Sequence, residues 1–190
     1  MSSFLDSSLP PQVLDRARTG DEAAQAEIYR AFERPVRTLA LRLVSRRAAA
    51  EDLAQDTFVE VLTSLHQFDG RGSFAGWVRS IAVSKCLMHL RSPWHRRLRW
   101  LADEPVAPVV TQTGEVDVDL ERALARLGDE ARLVVWLHDV EGYTHAEIGT
   151  LLGGTPSLSK SQLSRAHARL RELLEPHGER SPCLPLSTST

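Results

Sequence analysis

The chain has 190 residues, 42% of them hydrophobic, and a formal net charge of −2. That length suits one ordinary domain or two small ones, and that hydrophobic share excludes a chain disordered throughout. The charge alone names no partner, so its distribution has to be followed along the chain.

Residues 1–9 carry neither a basic n-region nor an apolar stretch, and no apolar run approaches the roughly 20 residues that span a bilayer. A cytoplasmic protein is therefore expected, with no membrane partner. Cys86 and Cys183 lie far apart, without CxxC or Cys/His spacing. They imply reduced thiols, with neither a disulfide framework nor a metal site.

After an amino-terminal extension (1–20), residues 21–91 read as a helical unit rich in Ala, Leu, Glu, Arg and Gln. Thr19-Gly20-Asp21 punctuates its start. Asp21 is the expected N-cap, and Ala24, Ile28 and Phe32 share one face. Pro35 is expected to break or kink the chain, after which Val36, Leu39, Leu43 and Val44 continue the apolar stripe. The next helix, about 48–66, turns Leu53, Phe58, Val61, Leu62 and Leu65 inward. Residues 68–73 form a loop with two glycines, and Ser73 caps a helix carrying Trp77, Val78, Ile81, Ala82, Leu87 and Leu90. That helix ends before Ser92-Pro93.

The periodicity fails over 92–117, which reads as a flexible linker punctuated by Pro93, Pro105 and Pro108. A smaller helical unit follows at 118–175, with helices at 119–127, 129–140, 144–152 and from about Thr155-Pro156 to Leu174. Residues 176–190 read as a disordered tail. The expected fold class is all-α: two small helical domains joined by a flexible linker.

Charge alternates along this plan. Residues 48–70 hold Glu51, Asp52, Asp56, Glu60 and Asp69 and no Lys or Arg. Residues 71–102 hold no acid but carry Arg71, Arg79, Lys85, Arg91, Arg96, Arg97 and Arg99. Residues 103–147 are acidic again, and 148–171 are acid-free with Lys160, Arg165, Arg169 and Arg171. Two basic blocks fit two contacts with a polyanion, and the acidic blocks fit a protein partner. Trp94 and Trp100 among the cations fit stacking on unpaired bases, whereas Trp77 sits at core spacing.

The most informative stretch is 142–153. Thr144 and Glu147 form a capping box, Ile148, Leu151 and Leu152 give a buried face, and Gly153 ends the helix. A short helix, a tight turn and a longer cationic helix make a helix-turn-helix, whose second helix would enter the major groove. Lys160, Gln162 and Arg165 have the donors that read base edges, and Ser159 and Ser161 read either kind.

In order, Ala50-Glu51-Asp52-Leu53-Ala54-Gln55-Asp56-Thr57-Phe58, then Phe68-Asp69-Gly70-Arg71-Gly72-Ser73-Phe74-Ala75-Gly76-Trp77, then residues 142–171 resemble the region two-two helix, the loop and helix start that engage the −10 element, and region four of the extracytoplasmic-function group of the sigma-70 family. The resemblance covers residues 21–174. It implies a factor that brings core RNA polymerase to promoters, with no catalytic residue and no cofactor. Glu51, Asp52, Gln55, Asp56, Phe58 and Glu60 would meet the β′ clamp helices. Phe68, Arg71, Phe74, Trp77, Arg79, Ser84, Lys85 and Arg91 would meet the −10 element, and the loop 68–74 would pocket a flipped base. Thr144, Ser159, Lys160, Ser161, Gln162, Arg165 and Arg169 would meet the −35 element, beside the β flap. Ser84 and Met88 replace the Asn and Asp usual on the −10 helix, and Ser157-Leu158-Ser159 replaces a usual Gly-Thr-Val.

Physics asks for the same partner. Unstacking about ten base pairs at roughly 1.4 kcal/mol per step costs on the order of 14 kcal/mol. No GxxxxGK[ST] loop is present to couple ATP, so the melting must be shared with a larger machine. Two regulators fit such a chain, an anti-sigma factor and a Ser/Thr kinase. Thr57, Thr63 and Ser64 lie on the docking helix, where phosphate would add roughly two negative charges. The rival readings are a stand-alone helix-turn-helix regulator binding duplex as a dimer, and a histidine-based enzyme. Against the second, the histidines are scattered, and His138 and Asp139, as sequence neighbours, are expected on different helix faces.

Overall fold

The structure is a computed structural model and describes residue 4 and residues 9–44, 46–92 and 115–175, with side chains from residue 119 in the last stretch. Expectations for Trp94, Arg96, Arg97, Arg99, Trp100 and the tail lie outside the described residues.

Helix α1 (Pro11–Arg18) has proline at its first position, where the missing N–H is harmless, and buries Val13 and Ala17 against α2. Asp21 caps α2 (Glu22–Val44): its Oδ1 accepts from the N–H groups of Ala23 (2.9 Å) and Ala24 (3.3 Å). The Arg16 hydrogen bond, then that of Ala24, holds the Asp21 carboxyl below its ordinary range. Of the two outcomes expected at Pro35, a break does not occur. α2 runs through it, and Pro35 is itself buried in the row formed by Phe32, Val36 and Leu39. Packing of that row outweighs the lost backbone bond.

Helix α3 (Arg47–Thr63) is followed by a 3-10 turn, Leu65–Gln67, and then by α4 (Phe74–Arg91), whose cap is Ser73 accepting from the Gly76 N–H at 2.9 Å. Helices α2, α3 and α4 pack together over Ile28, Phe32, Leu39, Leu43, Val61, Leu65, Val78 and Val83, each at most 2% exposed. Burying each such side chain contributes roughly 1.5–3 kcal/mol against chain entropy.

The carboxy-terminal helices are α5 (Glu115–Ala125), α6 (Asp129–Val135), α7 (His145–Leu152) and α8 (Pro156–Leu174). The helix expected over 129–140 changes pitch: α6 continues as a π-helical turn, Trp136–Val140. The wider turn lets adjacent Trp136 and Leu137 both point inward. α5, α6 and α7 all pack on α8, around Leu124, Leu133, Leu137, Ile148, Leu163 and Leu170. The two units touch where α2 meets α6 and α4 meets α7.

Candidate partner and nucleic-acid interfaces

The acidic helix α3 turns Asp52, Gln55 and Asp56 outward. Glu51 is half-buried and paired with Arg47 (3.0 Å) and Arg37 (3.7 Å). Phe58 is 5% exposed and packs on Tyr29 with ring centroids 4.6 Å apart. Glu60 faces α4: Ser64 donates to it at 2.8 Å and Lys85 at 3.3 Å, and these bonds, Ser64 first, keep its carboxyl below the ordinary range. Sequence reading missed Tyr29 and Val59, which are 42% and 63% exposed. Tyr29 and Phe58 border a shallow groove with Glu33, Arg37, Glu51 and Gln55. A large apolar residue one step off the buried stripe was the available signal, since Tyr29 follows Ile28. Of the three hydroxyls expected on this helix, Thr57 is buried and bonds the Leu53 carbonyl at 2.7 Å, and Ser64, just past the end of α3, is buried against Glu60. Thr63 alone of the three is exposed.

Phe68 and Phe74, expected to meet the −10 element, do not turn their rings to the surface. They are 7% and 9% exposed and form an aromatic cluster with Phe32 and half-buried Trp77, with centroid separations of 5.2–5.6 Å. The rings anchor the loop from inside, while Arg18 bonds the Phe68 and Leu65 carbonyls beneath it. Arg71 stands 91% exposed and reaches Asp69 at 2.6 Å. The backbone N–H of Arg71, then its guanidinium, lowers the Asp69 carboxyl. Ser84 and Met88 lie on the open face of α4. Lys85 is turned to Glu60, and Arg79 and Arg91 reach across to the carboxy-terminal unit.

The helix-turn-helix is formed as its sequence prescribes. The Thr144 hydroxyl accepts from the Glu147 N–H, and the Glu147 carboxylate accepts from the Thr144 N–H at 2.8 Å and its hydroxyl at 2.7 Å. Those bonds, the backbone one first, lower the Glu147 carboxyl. Gly153 closes α7 at φ +66°, a left-handed conformation that favours glycine. At Gly149, α7 lies close against the start of α8: a Cβ there would lie 2.8 Å from the carbonyl carbon of Thr155. Thr155 caps α8, and Pro156 occupies its first position.

On α8, Lys160, Ser161, Arg165 and Arg169 are exposed, Arg169 pairing with Glu172 at 2.8 Å. Ser159 does not join them. It is 1% exposed and its hydroxyl bonds His145 at 3.0 Å, so it fixes α8 on α7 instead of facing a groove. The Thr144 hydroxyl is committed to the cap, and Gln162 is half-buried beside Leu87 and Leu90 of α4.

His138 and Asp139 do meet, which corrects the expectation that they diverge. His138 Nδ1 lies 2.8 Å from Asp139, His167 Nε2 2.6 Å from the same carboxylate, and the His138 ring stacks on His145. The π-helical turn changes the spacing of side chains around the axis. Burial works to raise the Asp139 carboxyl, but the bonds from His138 and His167 prevail and lower it. Among the described residues no group of three or more His, Cys, Asp or Glu is arranged to hold a metal.

The chain matches the family described as Sigma-70 region 2 over residues 28–96 and that described as Sigma-70, region 4 over residues 117–170. It is 36% identical over 163 residues to the ECF RNA polymerase sigma factor SigM of Mycobacterium tuberculosis, covering 82% of this chain and 79% of that one. The chain belongs to the ECF group of the sigma-70 family. It is also 30% identical to the RNA polymerase sigma factor CarQ of Myxococcus xanthus, over 85% of this chain and 95% of CarQ. Identity to the ECF factor SigE of Mycolicibacterium smegmatis is 32%, over 84% of this chain, which spans 66% of that protein. The sigma factor RpoE of Bartonella quintana, solved with the anti-sigma factor NepR, superposes with a TM-score of 0.61 at 26% identity, covering 80% of this chain and 98% of RpoE. CnrH, solved with the cytosolic domain of CnrY, shares the fold at TM-score 0.51 and 21% identity, over 94% of this chain and all of CnrH. The sigma-70 family consists of non-enzymatic transcription factors, and this membership disfavours a stand-alone dimeric regulator. No described helix of this sigma factor is long and apolar enough to cross a membrane.

Proposed function

We propose that this sigma factor docks on core RNA polymerase through α3, holds the −10 element along α4, and reads the −35 duplex with α8, so that polymerase opens the promoter. The observation that carries this reading is the capped helix-turn-helix, whose second helix exposes Lys160, Ser161 and Arg165 within an acid-free stretch. Each exposed cation that meets a phosphate releases a counterion, which gives affinity without sequence choice. Ser161 and Arg165 are one helical turn apart, and Arg165 Nε already bonds the Ser161 carbonyl at 3.2 Å. Between them they offer donors to a base edge and to the adjacent phosphate.

On the other unit, Asp52, Gln55 and Asp56 offer an acidic outer face, with Tyr29 and Val59 as apolar neighbours. Apolar contacts flanked by charges suit a specific protein interface on basic clamp helices. The single-stranded −10 region would lie against Arg71, Ser84 and the outer edge of Trp77, steadied by Arg79 and Arg91. This division gives a region-two unit at 21–91, a linker at 92–117 and a region-four unit at 118–175. The chain would act in the cytoplasm, do no catalysis, and present its region-four unit beside the β flap. RpoE was solved with an anti-sigma factor, and a protein of that class is the regulator proposed for this chain as well.

The docking surface is tested with Asp52→Lys/Asp56→Lys. Both positions are exposed, so the helical circular dichroism should be unchanged, while affinity for core polymerase falls at least about tenfold. Unchanged core affinity overturns the docking assignment. Arg165→Ala should lower −35 binding of the holoenzyme by about 1–3 kcal/mol while leaving core affinity intact.

A further inference from the structure

The amino-terminal extension has no part in the contacts assigned so far, yet it is built against the −10 loop. Phe4 is 4% exposed and stacks on Phe32 with ring centroids 6.4 Å apart, and Phe32 in turn meets Phe74. Helix α1 is fixed on α2 through buried Val13 and Ala17, and through Arg16, whose Nε bonds Asp21 at 2.7 Å. From the last turn of α1, Arg18 reaches 47 and 50 positions along the chain. Its Nη2 donates to the Phe68 carbonyl and its Nε to the Leu65 carbonyl at 3.4 Å, while Asp15 holds Nη1 at 3.1 Å. Phe4 and Arg18 both precede residue 28, where the match to region 2 begins.

The Leu65 carbonyl also accepts the Phe68 N–H at 3.3 Å, so the two carbonyls that Arg18 grips are the ends of the turn that enters the loop. On the far side the loop is tied down by the Ser73 cap and the Phe74 ring. Between these anchors residues 69–73 are exposed. Gly70 and Gly72 both stand at φ +81°, and glycine gives such a backbone no stiffness of its own. The Asp69 carboxylate bonds the N–H and guanidinium of Arg71, which ties the tip to itself and not to the body of the domain. The place of the tip relative to α4 is therefore set by its anchors. We infer that Arg18 is a positioning residue for −10 recognition: it touches no base, and by holding the Leu65–Phe68 turn from beneath it fixes where residues 69–73 stand against α4, and with that the choice of base. The inference rests on the proposed placing of the −10 strand at this loop.

Arginine suits this task. Its planar guanidinium presents donors in a fixed fork, so the two carbonyls bound by Nε and Nη2 are held at a set separation and direction. A lysine ammonium would keep the charge but not the fork. Groups that select a base must be held to within roughly 0.5 Å of their working geometry. A loop left loose on one side thus loses discrimination before it loses affinity, because phosphate contacts carry affinity without reading sequence.

The test compares the full chain, bound to core polymerase, with Arg18→Met and Arg18→Lys. Methionine keeps an apolar stem beneath the turn and removes the donors. A pool of single-stranded DNA with randomised sequence is captured on each holoenzyme and sequenced, with core polymerase alone as the blank. Enrichment of the favoured over the disfavoured base at the most selective position measures discrimination. Anisotropy of the labelled pool over a range of salt measures overall affinity, and circular dichroism checks folding. Arg18→Met should lower discrimination about tenfold and Arg18→Lys about threefold, with overall affinity, its salt dependence and core binding within about twofold of the original. Should Arg18→Met fail to fold, Arg18→Lys carries the same test. Discrimination equal to the original in the folded variants overturns the inference. So does a uniform loss of affinity with a salt slope lower by about one, which marks Arg18 as a phosphate contact. Asp69→Ala, which cuts the turn of the loop tip, separates this inference from the reading beneath it. Discrimination that is lost with Asp69→Ala but kept with Arg18→Met overturns the role of Arg18 alone. Discrimination that neither Asp69→Ala nor Arg18→Met alters overturns the placing of the −10 strand at the loop, and the role of Arg18 with it.

Discussion

Gly149 and Gly154 bracket the turn of the helix-turn-helix, and methyl groups at the two positions should have opposite consequences. At Gly149 a Cβ would sit 2.8 Å from the Thr155 carbonyl carbon, 3.0 Å from the Pro156 nitrogen and 3.1 Å from the Thr155 oxygen. All three are backbone atoms, so no rotamer change relieves the clash, and the start of α8 must move away from α7. Overpacking of this kind costs about 1–3 kcal/mol. Replacing a helix-interior glycine with alanine returns about 1 kcal/mol. With rigid backbone on the far side the upper end applies, which leaves a net loss of about 2 kcal/mol and a fall in Tm of roughly 4–8 °C for a chain of this size. At Gly154 the Cβ would lie even closer, 2.7 Å, but to the Cδ2 of Leu158, the tip of a side chain that is 44% exposed. That tip can rotate into solvent. Gly149→Ala should therefore lower Tm and reduce −35 binding of the holoenzyme by about tenfold or more, since α8 carries Lys160 and Arg165 on the displaced helix. Gly154→Ala should match the original chain in both assays. Equal effects of the two substitutions, or a silent Gly149→Ala, would refute the claim that helix separation at Gly149 sets the reading helix.

Thr144→Ala should destabilise the chain by about 1 kcal/mol, because the hydroxyl side of the capping box is lost; urea titration measures it. The Glu147 carboxyl is held below its ordinary value in the folded chain, so its stabilising contribution is present above about pH 4.3 and is lost as pH falls through the folded-state value. Glu147→Gln should accordingly show a shallower loss of stability between about pH 5 and about pH 3. Burial pushes the Cys86 thiol up to about 12. In a Cys183→Ser chain, Cys86 should therefore resist a thiol reagent at a pH of about 8 and react fully only on unfolding, since the thiolate is the reactive form; rapid native labelling would contradict its burial.

Local chemistry made much of the fold legible. The caps at Asp21, Ser73, Thr144 and Thr155 depend on atoms within three residues, and each lies where a side-chain oxygen next to an apolar period requires it. That α2 runs on through Pro35 was not legible, because the backbone penalty of proline is local while the burial that offsets it is tertiary. The same distinction governs the candidate sites. The exposed cations of α8 follow from helical spacing, but the burial of Ser159 depends on His145, fourteen positions away. Phe68 and Phe74 looked available for a base because the ring that meets Phe74, Phe32, sits in a different helix. The Arg79–Glu141 contact spans 62 positions and leaves no periodic trace in either segment.

The central claim is that this chain confers promoter choice on core polymerase. Purified chain and σ-free core polymerase, mixed on linear DNA carrying the upstream region of its own reading frame, test it directly. The account predicts a discrete run-off transcript that requires both components and is lost with Asp52→Lys/Asp56→Lys. No transcript from that template or from a genome-wide run-off library, despite polymerase that initiates normally with another sigma factor, would contradict it.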